Sequence, residues 1–123
     1  MNRTGVVKDA RYLEHVMDPG HPESPERLRV IYRMLEEDEL KDKLIAVNPR
    51  EATRAELEMN HSPRYIDLIA STAGKPYYRL DMDTSTSAKS YQAALLAAGG
   101  FLELVKVVME GKLKNGFALV RPP

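Results

Sequence analysis

The chain has 123 residues and a mass of 13.9 kDa, enough for one domain with a buried apolar core. Its 18 basic and 18 acidic residues cancel, which argues against long-range attraction to nucleic acid or to an anionic membrane. The sequence contains no cysteine, so disulfides, thiolate metal sites and cysteine nucleophiles are excluded.

No unbroken apolar run approaches the length that spans a bilayer, and Met1-Asn2-Arg3 leads into no signal-like hydrophobic region. We therefore expect a cytoplasmic protein that contacts no membrane and no nucleic acid directly. Repeats, low-complexity tracts and internal linkers are absent from the sequence, which predicts a single domain over residues 1–123.

The N-terminal part predicts a strand, a loop, a helix and a second strand. Val6 and Val7 favour a short strand, and the proline-rich segment that follows is typical of a loop. Ser24 is placed to cap a helix with Pro25 at its first position, where no backbone N–H is needed. Apolar residues then recur at three- and four-residue steps, and Ile45–Val47 predicts the second strand.

The middle of the chain predicts two short helices. Thr53 and Glu56 have the spacing of a capping box, in which each side chain bonds to the backbone N–H of the other residue. Ser62 and Pro63 predict the start of the second helix. That helix is expected to end at Gly74, ahead of a further proline.

The C-terminal part predicts one long helix near residues 87–110. Thr86 and Ser87 are the candidate N-caps, and Gly111 is a natural stop. Several apolar residues fall at helical spacing, so we expect the helix to bury one continuous stripe. This predicted stripe consists of Tyr91, Ala94, Leu95, Ala98, Leu102, Val105 and Met109.

A strand follows the long helix. The run Phe117–Val120 is short, apolar and unbroken, which is typical of a strand buried on both faces of a parallel sheet. A helix leading into such a strand is the second half of a right-handed crossover. The order of elements therefore predicts an α/β fold with about three parallel strands and flanking helices.

Three sequence words in the C-terminal part carry a family resemblance: DMDT at 81–84, SYQAALLAAGG at 90–100 and KNGFALVRPP at 114–123. With His21-Pro22-Glu23 and the segment 25–28, they resemble class II zinc-dependent histone deacetylases and bacterial relatives that act on acetylated polyamines or acetoin metabolites. The resemblance covers essentially the whole chain. It implies part of the three-layer arginase/deacetylase-like fold, with the second, first and third strands side by side in that order.

In the resembled family a Gly-His-His motif follows the Arg-Pro-Pro at once, whereas this sequence ends at Pro123. The resemblance therefore predicts that residues 1–123 are a truncated N-terminal part of the domain. The family's zinc ligands, paired acid–base histidines and carbonyl-polarising tyrosine would lie beyond it. We expect no catalytic residue, no metal ligand and no cofactor in this chain, with zinc required only by a full-length member.

The histidines and hydroxyls of the chain show no catalytic spacing. His15 and His21 flank a Pro-Gly loop and His61 lies far along the chain, so none of the usual zinc-ligand spacings is present. We expect these histidines to bond to loop backbone or to lie partly exposed. Ser90 and Thr84 have no histidine at a recognisable spacing, which argues against a serine nucleophile.

Two residues are candidate substrate-binding residues by resemblance. Asp83 matches the rim aspartate that accepts hydrogen bonds from the substrate backbone in deacetylases. The alternative is an acid that begins a turn or caps the long helix. Arg27 matches an arginine that lines the internal channel beneath the pocket. Its alternative is an ion pair at the helix start with Glu23 or Glu26.

The edge of the third strand predicts association with another chain. An apolar edge with few charges is a template for association. We expect a homodimer through this C-terminal strand edge or through the long helix, or a separate chain that supplies the catalytic half.

Two hypotheses on function follow. In the first, the chain is a catalytically incomplete, self-associating part of a zinc-dependent amidohydrolase that removes acetyl groups from acetyl-lysine or acetylpolyamines. In the second, it is a free-standing interaction or regulatory protein without enzymatic activity, built on the same part of the fold.

Overall fold

A computed structural model describes residues 3–123. It contains five strands, β1 Thr4–Val7, β2 Leu44–Ala46, β3 Tyr78–Arg79, β4 Ser85–Thr86 and β5 Gly116–Ala118. The α-helices are α1 Pro25–Leu35, α2 Arg54–Glu58, α3 Pro63–Ala70 and α4 Ser90–Met109, and there are 3₁₀ helices at Ala10–Glu14 and Lys41–Lys43.

The main sheet has three parallel strands in the order β2-β1-β5. Gly5 of β1 lies opposite Ile45 on one side and Gly116 on the other. The predicted α/β class, the single long helix and the strand order are confirmed. A second, two-stranded antiparallel sheet joins β3 to β4, in a segment where the sequence predicted no strand.

Local capping signals predicted the starts of the short helices correctly. The Thr53–Glu56 capping box is formed in full, and the Ser62 hydroxyl accepts a hydrogen bond from the Tyr65 N–H at 3.2 Å. Ser24 occupies the N-cap position of α1, but its side chain makes no capping bond.

The core lies between the sheet and the inner face of α4. The buried cluster comprises Val7, Tyr12, Leu28, Val47, Leu96, Ala97 and Leu104. The Tyr12 hydroxyl donates to the Leu96 carbonyl at 2.7 Å, which joins the first 3₁₀ helix to the middle of α4. Gly99 and Gly100 permit this close packing, since a Cβ at Gly100 would lie 2.7 Å from the Tyr12 hydroxyl and 2.9 Å from Val7 Cγ1.

The predicted stripe of α4 is wrong as a core face. The residues of α4 that are buried are Ser90, Ala93, Leu96, Ala97, Gly99, Gly100 and Leu104, and none of them belongs to the stripe. On the outer face Met109 is 80% exposed. The helix is apolar on both faces, so hydrophobic periodicity alone does not identify the side that packs on the sheet.

The predicted N-caps of α4 are also wrong, whereas the predicted stop at Gly111 is confirmed, since the helix ends at Met109 and Gly111 has a positive φ. The helix begins at Ser90, and its N-cap residue Lys89 makes no side-chain capping bond. Thr86 lies in β4, paired with Tyr78. Ser87 instead donates its backbone N–H to the Ser90 hydroxyl at 2.8 Å. Thr86 is therefore part of a strand, and Ser87 donates a hydrogen bond to the first residue of the helix, so neither residue is the N-cap.

Strand β5 is parallel, as predicted, but it is not buried on both faces. Phe117 is 64% exposed, and within residues 3–123 β5 pairs only with β1. No described element covers the outer side of the strand at Phe117, so the prediction of burial on both faces is wrong.

Helix α4 is long and apolar enough, by length and composition, to cross a membrane. Its unbroken apolar runs are shorter than a membrane span, because Glu103 and Lys106 interrupt them, but a membrane-spanning helix tolerates isolated charges. Core helices of water-soluble proteins meet the same criterion, and in this fold α4 packs one face on the parallel sheet.

Candidate functional site

A cavity of about 530 Å³ opens on the outer face of α4. Its walls come from the loop around residues 15–23, from α3, from the segment 80–86 and from α4. The apolar lining consists of Met17, Leu57, Ile66, Ile69, Leu80, Ala94, Leu95, Ala98, Pro122 and Pro123. The first half of the predicted stripe, Tyr91, Ala94, Leu95 and Ala98, therefore faces this cavity rather than the core.

The charged residues that line the cavity have one sign. Glu23 and Asp83 contribute carboxylates, and among residues 3–123 no lysine or arginine belongs to the lining. The remaining polar side chains are His15, His21, His61, Tyr65, Thr84, Ser85, Thr86, Ser90 and Tyr91. The arrangement suits a ligand with an apolar body and hydrogen-bond donors.

Asp83 lies at the exposed margin of the cavity. The turn that holds it is made by Asp81, whose Oδ1 accepts the Asp83 N–H at 2.8 Å and the Thr84 N–H at 2.7 Å. These backbone hydrogen bonds, that from Asp83 first, lower the pKa of Asp81. The turn is held by the Asp81 carboxylate, and α4 begins only at Ser90, so the Asp83 carboxylate neither holds the turn nor caps the helix. It forms no hydrogen bond to any other residue in 3–123.

His21 holds the backbone of Asp83. The Glu23 N–H donates to His21 Nδ1 at 3.0 Å, and His21 Nε2 lies 3.0 Å from the Asp83 carbonyl oxygen. A ring nitrogen that accepts a hydrogen bond carries no proton, so Nε2 is the donor to Asp83. Both ring nitrogens of His21 are therefore occupied.

Arg121 and Glu23 form the buried anchor of the site. Arg121 is 0% exposed, and its Nε and Nη2 donate to the two Glu23 carboxylate oxygens at 2.8 and 2.6 Å. Its Nη1 donates to the His15 carbonyl at 2.6 Å. The hydrogen bond from Arg121 is the largest cause of the lowered pKa of Glu23.

Arg27 lies outside the cavity lining. It is on α1, where its Nη1 donates to Glu23 Oε1 at 2.9 Å. The side chain is half exposed. Glu23 therefore links Arg27 on the surface to Arg121 in the interior.

His15 and Ser90 are brought together by the fold. His15 Nδ1 lies 2.6 Å from the Ser90 hydroxyl, and both residues are buried. Burial first, and then the charge of Arg121, lower the pKa of His15. Sequence spacing did not indicate this contact, because the two residues are 75 positions apart in the chain. Ser90 also accepts the Ser87 N–H, so this contact joins the start of α4 to the loop at His15.

The three histidines line one cavity, which their sequence spacing did not indicate. Within residues 3–123, however, no three histidine, aspartate or glutamate side chains are arranged to hold a metal ion. His21 uses both ring nitrogens and Glu23 is paired with Arg121. These donors do not fit a zinc ion.

The sequence reasoning missed the roles of His21, Glu23 and Arg121. All three belong to the motif words His-Pro-Glu and Arg-Pro-Pro, and Glu23 and Arg121 are 98 positions apart, so no local pattern pairs them. An acidic residue and an arginine in two proline-containing loops are the signal in the sequence that is consistent with such an ion pair.

Comparison with known proteins places these residues in context. The model of the histone deacetylase domain family matches residues 21–123. The chain is 38% identical over 125 residues to histone deacetylase 15 of Arabidopsis thaliana, covering 98% of this chain and 23% of that protein. It is also 38% identical over 121 residues to polyamine deacetylase HDAC10 of Danio rerio, covering 93% of this chain and 18% of that protein.

A solved structure shares the fold. The crystal structure of the HDA15 HD domain superposes with a TM-score of 0.93 at 37% sequence identity, covering 99% of this chain and 36% of that chain. The chain thus spans about a third of the solved domain's chain and less of the two relatives.

Proposed function

Because the chain belongs to the histone deacetylase family, we propose that it forms one wall of a substrate cleft for removing acetyl groups from acetyl-lysine or acetylated polyamines. The observation that carries this proposal is the Asp83 carboxylate. It stands at the margin of an apolar cavity with no bonding partner among residues 3–123.

The chemistry of the cavity supports this class of ligand. An acetylated aliphatic amine has an apolar chain that gains by leaving water. It also carries N–H donors that a rim carboxylate accepts, in a hydrogen bond strengthened by the charge. The polyamine part is favoured in addition by the negative charge of Asp83, since Glu23, the other carboxylate of the lining, is paired with Arg121. Of the two relatives, one is named a histone deacetylase and the other a polyamine deacetylase.

The chain is proposed to be inactive alone. Hydrolysis of an amide needs a metal-polarised water, a base that takes its proton and a donor for the developing oxyanion. Residues 3–123 contain no cluster able to hold a metal ion. We therefore assign substrate contact to this chain and the hydrolytic step to polypeptide outside these residues.

The exposed apolar surface is where that polypeptide, or a second copy, is proposed to bind. We call this surface the outer patch. It comprises Phe101, Leu102, Val105 and Met109 on the outer face of α4. The free edge of β5, where Phe117 is exposed, supplies unpaired backbone groups at a second exposed surface. Self-association through the outer patch or through this strand edge is the proposed state of the chain by itself.

A second candidate function is a non-enzymatic interaction or regulatory protein. The outer patch is the observation that favours it, because exposed apolar residues that share one helix face mark a protein contact whether or not chemistry follows. In that case the dimer is the functional form and the cavity is not used for catalysis.

A reconstitution experiment separates the two functions. The chain is mixed with a polypeptide of a family member that starts at its Gly-His-His motif, and acetate release is measured from an acetyl-lysine peptide and an N-acetylpolyamine. We expect release from the mixture only, and its loss on adding a chelator. A stable inactive dimer that ignores the added polypeptide would instead support the interaction protein.

Asp83→Asn tests the role of the cavity within that mixture. Loss of a charge-assisted hydrogen bond is expected to raise KM by roughly tenfold with little change in kcat. Asp38→Asn is the matched control, because Asp38 is an exposed acid outside the lining. Equal effects of the two substitutions would contradict a substrate contact at Asp83.

A further inference from the structure

One short loop segment is hydrogen-bonded to two separate parts of the chain that line the cavity or adjoin its lining. We propose that His21–Glu23, named here the clamp, is a positioning segment: His21 positions Asp83, and Glu23 positions Arg121 with the Pro122–Pro123 wall. This inference rests on the proposed function for its kinetic consequence. Its structural part concerns the chain alone.

The first half of the clamp acts on backbone, not on the acid itself. His21 Nε2 donates to the Asp83 carbonyl at 3.0 Å and leaves the Asp83 carboxylate free. Asp81 holds the same turn from the other side through the Asp83 and Thr84 N–H groups. The Asp83 peptide is thus held at both its N–H and its carbonyl, while its side chain stays available to a ligand.

The second half of the clamp acts on a buried charge. Arg121 is fully buried and donates two hydrogen bonds to Glu23 and one to the His15 carbonyl. A buried guanidinium without a carboxylate partner is strongly unfavourable. Arg121 is therefore kept at Glu23, and the adjoining Pro122 and Pro123 are kept against the cavity.

The two halves are coupled through a single hydrogen bond. The Glu23 N–H donates to His21 Nδ1 at 3.0 Å, so the backbone of Glu23 sets the orientation of the His21 ring. Pro22 between them has a fixed φ, which limits how far one can move without the other. A displacement of Arg121 is therefore expected to change the position of the Asp83 backbone.

Two conservative substitutions separate the bonds of His21. In His21→Asn the side-chain oxygen replaces Nδ1 as acceptor for the Glu23 N–H, and the donor to Asp83 is lost. In His21→Gln the amide nitrogen replaces Nε2 as donor to the Asp83 carbonyl, and the acceptor is lost. His21→Ala removes both.

Amide hydrogen exchange on the chain alone tests the structural part. His21→Ala and His21→Asn are expected to speed exchange at residues 80–84 by roughly tenfold, whereas His21→Gln leaves it within about twofold. The reverse order is expected at the Glu23 amide. Equal exchange rates of residues 80–84 in all three variants would overturn the positioning role of His21. The exchange experiment requires no deacetylase activity.

Kinetics of the reconstituted mixture test the functional part. His21→Asn is expected to raise KM by roughly tenfold, and to raise it no further when combined with Asp83→Asn, since the first acts through the second. Rescue toward the parental KM by His21→Gln distinguishes positioning from a general loss of stability. Additive effects of His21→Asn and Asp83→Asn would overturn the coupling while leaving the proposed function intact.

Discussion

Arg121 and Glu23, at opposite ends of the chain, form a two-contact ion pair with N–O distances of 2.8 and 2.6 Å. Arg121 is fully buried, and the Glu23 side chain is 19% exposed. The pair closes the C-terminal segment onto the loop that precedes α1. Because the guanidinium lies out of water, its stability depends on this one carboxylate.

Glu23→Gln is predicted to destabilise the fold by about 3 kcal/mol, since it leaves a buried positive charge without its partner. Chemical denaturation monitored by circular dichroism measures the change. Glu26→Gln is the control, because Glu26 pairs with Arg29 on the surface and is expected to cost less than about 1 kcal/mol. Similar losses for both variants would show that the buried pair contributes little.

The free energy of unfolding is predicted to decrease as the pH is lowered, over two separate pH ranges. His15 has a lowered pKa in the fold through burial, so the unfolded chain binds its proton first and stability is lost as pH falls below the ordinary value of 6.5. Glu23 also has a lowered pKa, through Arg121. Its contribution is present above the ordinary value of 4.5 and is lost as pH falls toward its folded value.

Denaturation at a series of pH values separates these ranges. His15→Asn is expected to flatten the loss between about pH 7 and 5.5 while the loss below about pH 4.5 remains. His61→Asn, at an exposed histidine of the same cavity, is the control and keeps the first slope. An unchanged slope in His15→Asn would show that another group causes it.

Gly99→Ala is predicted to destabilise the protein despite the helical position. Alanine gains about 1 kcal/mol over glycine in a helix, but a Cβ at this position would lie 1.9 Å from the Arg50 carbonyl oxygen. Overpacking against backbone costs about 3 kcal/mol, so we expect a net loss near 2 kcal/mol, measured by thermal unfolding. Ala98→Gly, on the cavity side of α4, is the control that measures the difference in helix propensity between alanine and glycine in this helix. A stabilised Gly99→Ala variant would contradict the close contact.

The self-association proposed for the free edge of β5 predicts that Phe117→Lys lowers the mass in solution. A lysine on an edge strand opposes pairing with a second edge. Sedimentation equilibrium is expected to show a dimer for the parental chain and a shift to monomer for the variant. Val30→Lys is the control, because Val30 is exposed to a similar extent, 59%, but lies on α1. A parental chain that stays monomeric at high concentration would contradict the proposal.

Much of the fold followed from signals within a few residues. The Thr53–Glu56 capping box, the Ser62 cap and the α/β order of elements depend on contacts at three or four residues' separation or on local periodicity. Family resemblance added the strand order β2-β1-β5, which no local pattern contains. Asp83 was predicted as a substrate-binding residue from the same resemblance, and it lies in the cavity lining.

Tertiary structure alone decided which side of α4 is core and which residues meet at the cavity. Both faces of α4 are apolar, so the choice depended on Gly99 and Gly100 fitting against the Arg50 and Tyr12 regions. His15 and Ser90 became neighbours only through the packing of distant segments. Local sequence determines backbone preferences because their energies arise between near neighbours, whereas contacts across the chain depend on how complete elements fit together.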